Sequence, residues 1–109
     1  MYIRIQDQSI RFRLSMQEAE RVLTGEILCD HLPLTVENAL TYQVCLSSND
    51  NRFEYKDSEN KLILHINEDS LTSEISTRPS KKGILFYHQI DQEKTTISLE
   101  INLKNKQRN

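Results

Sequence analysis

The sequence predicts an α+β domain, a mostly antiparallel, curved or barrel-like sheet carrying two short helices. Three observations predict it. Apolar and polar residues alternate over several short stretches, the period of half-buried strands. At Ser15 and again at Asn67 that period breaks, and each break opens a segment of helical spacing with acidic residues in its first turn. Each such segment is preceded by one hairpin pattern and followed by another. The chain therefore reads ββα-ββ twice, a pseudo-repeat whose halves share pattern rather than residue identity.

At 109 residues the chain is expected to fold as one domain over 1–103, with 104–109 as a flexible polar tail. A domain of this size buries enough surface for a core without staples. The net charge of −2 provides no basic excess of the kind that nucleic-acid binders carry. No apolar run approaches the ~18–20 residues of a membrane helix, so no membrane partner is expected. The N-terminus alternates rather than forming the apolar core of a secretory signal, and two cysteines are too few for a disulfide framework. A cytoplasmic location with reduced thiols is the expectation.

The opening "YIRIQDQSIRFRL" predicts strands at 2–6 and 9–14 around an Asp7-Gln8 turn. Ile3, Ile5, Ile10, Phe12 and Leu14 fall on one face, and Tyr2, Arg4, Arg11 and Arg13 on the other. The register sets Ile5 opposite Ile10, Ile3 opposite Phe12 and Arg4 opposite Arg11. Like charges facing across a ladder are destabilising, so the arginine pair calls for a negative partner. Ser15 then reads as an N-cap with Glu18 completing a capping box. Met16, Ala19, Val22 and Leu23 share the helix's apolar face, and Gly25 ends it.

A strand follows at 27–31, broken near Pro33, and 34–38 reads as a loop. In "LTYQVCLS" (40–47), Leu40, Tyr42, Val44 and Leu46 face one way and Cys45 the other. "RFEYK" (52–56) and "KLILHIN" (61–67) form a second hairpin around "DSEN". Asn67 caps a helix running to Ser76 with Leu71 and Ile75 as its apolar pair. "RPSKKG" (78–83) breaks the chain. "ILFYHQI" (84–90), apolar on both faces, is predicted to be a central strand. "TTISLEINL" (95–103) is predicted to be an amphipathic final strand.

The segment "IRIQDQSIRFRLSMQEAERVLTGE" resembles the start of a family of short bacterial proteins, a domain of unknown function. Those open with an Ile-Arg-Ile hairpin, then Ser-Ile-Arg-x-Arg-Leu, then a helix beginning Ser/Thr-x-x-Glu. The matching positions are Ile3, Arg4, Ile5, Ser9, Ile10, Arg11, Arg13, Leu14, Ser15 and Glu18, and "LTYQV" (40–44) looks like the family's next strand. The resemblance implies one small bacterial domain and carries over no catalytic residue.

Function is less legible. Arg4, Arg11 and Arg13 on one strand face form a candidate site for a small anion or an acidic protein partner, because guanidinium groups bind carboxylate and phosphate through paired donors. The competing reading has Glu18, Glu20, Glu54 or Glu100 supplying the counter-charge from within. Cys29 and His31, spaced i,i+2 on a strand, raise the alternative of a small enzyme or metal-binding protein, with Cys45, His65 or His88 as further ligands. Zinc sites usually show two short-spaced ligand pairs, and one exists here, so no metal or other cofactor is assigned. No nucleophile has a recognisable local setting, so no catalytic residue is assigned and enzymatic activity is disfavoured. Arg78, Lys81 and Lys82, with Tyr55, Phe86 and Tyr87, are weak candidates for nucleic-acid contact, which the net charge also disfavours. A third reading is a structural subunit that forms homo-oligomers through a strand edge such as Thr95–Leu103.

Overall fold

Alternation and two helix caps place the elements. In the computed structural model, which describes residues 1–76 and 83–102, strands β1 (Tyr2–Gln6) and β2 (Ser9–Ser15) pair antiparallel. Their register is the expected one, with Arg4 opposite Arg11, Ile3 opposite Phe12 and Ile5 opposite Ile10. Asp7 and Gln8 both take left-handed backbone, with φ of 50° and 58°. That is the conformation a two-residue turn needs to match the twist of its strands, and here it forms without glycine. Helix α1 (Met16–Leu23) starts where the capping box predicts. The Ser15 hydroxyl accepts the Glu18 amide at 3.1 Å, and the Glu18 carboxylate accepts the Ser15 amide at 2.9 Å. Gly25, at φ 102°, ends the helix by donating its N–H to the Val22 carbonyl.

The second half repeats this plan. Strands β5 (Arg52–Lys56) and β6 (Lys61–Asn67) form a hairpin, and α2 (Glu68–Ser76) begins at Asn67, whose side-chain oxygen accepts the Ser70 amide. A hairpin also follows each helix: β3 (Leu28–Pro33) with β4 (Ala39–Ser47), and β7 (Ile84–Ile90) with β8 (Glu93–Asn102). The strands assort into two four-stranded sheets, β1-β2-β8-β7 and β3-β4-β6-β5. Each sheet takes one hairpin from each half of the chain. The hairpins are antiparallel, while the central pairs β2/β8 and β4/β6 are parallel. Exchanging the halves in the first sheet's strand order reproduces the second, so the ββα-ββ repeat holds in topology. Among the described residues no barrel closes, and the sheets are not strongly curled.

Two strand positions differ from expectation. The apolar run 84–90 is an edge strand, with Leu85, Tyr87 and Ile90 exposed. The final strand is central, flanked by β2 and β7, so the Thr95–Leu103 stretch offers no free edge up to Asn102. Alternation reports which face of a sheet is wet. It does not report whether a strand has neighbours on both sides. Leu103, the 104–109 tail and most of "RPSKKG" lie outside the described residues.

One core joins both sheets and both helices. Phe12, Leu14, Val44, Leu64, Ile97 and Leu99 from the strands meet Val22 of α1 and Leu71 of α2. Period-2 alternation then turns the intervening polar side chains of each sheet outward.

Candidate functional site

The outer face of the first sheet is set by three strands. Arg4 and Arg11 are opposite each other on β1 and β2, and the parallel register brings Ser98 beside Arg11 and Glu100 beside Arg13. Glu100 is the negative partner that the arginines call for. Its Oε1 accepts Arg13 Nη2 at 2.9 Å, and its Oε2 lies 3.2 Å from Arg11 Nε. The carboxylate side chain is only 14% exposed, against 42% and 33% for the two arginines. Arg4 is exposed and has no ion pair among the described residues. The Arg13 guanidinium also stands over the Tyr2 ring, 5.3 Å from its centroid. Two of the three guanidiniums thus share one carboxylate while Arg4 stands beside them, a local surplus of two positive charges.

Two of the other acidic candidates, Glu18 and Glu54, are engaged elsewhere. Glu18 receives the N-terminal ammonium at 2.6 Å as well as the Ser15 cap. Burial pushes its carboxyl up, but the ammonium and Ser15 prevail and hold it below the ordinary carboxylate range. Glu54 belongs to the second sheet.

On that sheet's outer face, Cys29 and His31 sit exposed on edge strand β3. His65 and Cys45 share this face, but His88 does not. It lies on the first sheet and packs edge-on against Phe53 at 5.2 Å. Among the described residues no three His, Cys, Asp or Glu side chains converge as a metal set.

The structure brings together instead a trio that residue patterns did not assemble. Cys45 and His65 are neighbours in the parallel β4/β6 register, with Sγ 3.5 Å from Nδ1. His65 Nε2 lies 3.0 Å from Glu54 Oε1 on β5. A carboxylate only accepts, so Nε2 donates to Glu54, and in the neutral ring Nδ1 is then the acceptor for the thiol proton. The His65 hydrogen bond holds the Glu54 carboxyl below its usual range, with Arg52 and Lys56 adding to the effect. The signal available in sequence was that Cys45 and His65 alternate against the core residues around them. Their adjacency needed the β4/β6 pairing.

The aromatic nucleic-acid candidates do not converge. Tyr55 hydrogen-bonds Asn60 on the second sheet, Tyr87 lies under Lys94 on the first, and Phe86 packs against the core. Arg78, Lys81 and Lys82 lie outside the described residues.

No match was found to a curated protein or to a solved structure. A family model does match, and it spans residues 1–106, from the arginine hairpin through the last strand. The chain belongs to that family, DUF7009, a family of unknown function.

Proposed function

We propose that this is a bacterial, cytoplasmic binding domain whose arginine face receives an acidic protein segment or a small anion. One observation carries the reading: Arg4, Arg11 and Arg13 share one sheet face, where the Glu100 carboxylate pairs with Arg11 and Arg13 and leaves Arg4 without an ion pair among the described residues. A guanidinium has five N–H donors, and three of them far outnumber the acceptor sites of one carboxylate. The surplus donors and charge point outward from a sheet that fixes their spacing. Stability does not account for this arrangement, since exposed ion pairs contribute only ~0–1 kcal/mol each and the Arg4/Arg11 apposition opposes folding. The cytoplasmic part of the reading rests on Cys29 and Cys45, both free thiols. The bacterial part rests on the resemblance of the opening hairpin.

Fluorescence anisotropy with a labelled hexaglutamate peptide, and tripolyphosphate as competitor, tests the proposal. Replacing Arg4, Arg11 and Arg13 together by Gln is expected to weaken binding at least tenfold while circular dichroism shows the fold intact. The same loss is expected when salt is raised, because exposed charges are screened. A wild-type protein that binds neither probe, or a folded triple variant that keeps its affinity, contradicts the reading.

A further inference from the structure

The pseudo-repeat makes the two outer faces directly comparable. Because α1 and α2 start at equivalent points, His65 occupies the place of Arg13, and Cys45, its parallel-strand neighbour, the place of Glu100. Glu54 occupies the place of Arg4. The fold therefore accepts quite different side chains at these three positions. Nothing in the backbone plan requires a thiol, an imidazole and a carboxylate in line, yet the second sheet holds them with both contacts made.

We propose that Cys45, His65 and Glu54 form a nucleophilic thiol site that accepts an acyl group from a thioester. The hydrogen-bond chain gives each residue a role. Cys45 is the nucleophile, His65 its general base through Nδ1, and Glu54 positions the ring by accepting from Nε2. As Sγ attacks the thioester carbonyl carbon, its proton passes to Nδ1. The new S–C bond forms, the donor's C–S bond breaks, and the leaving thiolate takes the proton from the imidazolium. One thioester replaces another, and no oxidant or reductant is needed.

Burial pushes the Cys45 thiol up, against smaller opposing effects of Gln43 and Arg52, so a base is needed to make it nucleophilic near neutral pH. A strand face rather than a cleft presents the sulfur, so the donor must bring its own good leaving group, as a thioester does. Arg52 lies opposite His65 in the same cross-strand row, which favours a donor with an anionic carrier.

Cys29, exposed on the same sheet, is the internal control. The protein is treated with S-phenyl thioacetate at neutral pH, and acetylation at each cysteine is followed by peptide mass spectrometry. An unassisted, half-buried thiol reacts more slowly than an exposed one. The proposal instead expects Cys45 to acetylate at least tenfold faster than Cys29. His65→Ala is expected to bring that ratio to one or below, and free imidazole to restore part of it. Glu54→Gln is expected to lower the ratio several-fold with Cys29 unchanged. Should His65→Ala fail to fold, His65→Gln provides the same comparison. Faster acetylation of Cys29 in the wild type, or a ratio indifferent to the His65 replacement, overturns the proposal.

Discussion

Leu64→Ala is expected to destabilise the protein by about 3 kcal/mol, read as a lower urea midpoint at unchanged slope. Leu64 has no solvent exposure and lies at the centre of β6, with Val44 beside it on β4 and Phe53 on β5. Truncation removes the transfer free energy of its methyl groups and leaves a void that fixed neighbours cannot fill. A domain of this size is typically stable by ~5–15 kcal/mol, so one such change removes a substantial share. Ile63, the preceding residue, supplies the contrast. It is only 3% exposed, but it faces outward and stands apart from the core cluster. Its cross-strand neighbours are the polar Gln43 and Glu54 rather than core residues, so Ile63→Ala is expected to cost less. Equal losses at the two positions would show that Leu64 is not at the centre of the core.

Gly83→Ala is expected to destabilise by at least about 2 kcal/mol although it adds a single methyl group. Gly83 leads into β7 at φ 68°, where an L side chain is strained. A Cβ there would also come within 2.2 Å of the Leu99 carbonyl oxygen, a backbone atom of β8 that cannot swing aside. Relief requires the β7 edge to move away from β8. Thermal denaturation measures the loss, and hydrogen exchange is expected to place the weakened amides in β7 and β8. A variant as stable as the wild type would contradict this packing.

How legible the molecule was depends on how local each feature is. The first hairpin's register, the Ser15 box and the Asn67 cap follow from neighbouring residues, and each stands as predicted. The parallel pairs β2/β8 and β4/β6 join segments that no turn connects, and alternation alone says nothing about which strands meet. Arg13 and Glu100 are 87 positions apart, so Glu100 was one of four acidic candidates until the β2/β8 register selected it. The same gap hid the Cys45–His65 contact, although the faces of both residues were readable. The edge position of 84–90 escaped for a different reason. Apolar residues on both faces imitate a central strand even when Leu85, Tyr87 and Ile90 stay exposed.

The claim that matters most is that the arginine face carries more positive charge than its one carboxylate neutralises. Glu100→Gln tests it in the most direct way, because it keeps the size of the side chain and removes only the charge. With Glu100 neutral, Arg11 and Arg13 lose their internal partner and join Arg4 in facing solvent. Hexaglutamate affinity, measured by anisotropy at low salt, is predicted to rise about fivefold, roughly 1 kcal/mol. An affinity that stays the same or falls would mean that the anion does not bind at these guanidiniums, and the account of the site would be wrong.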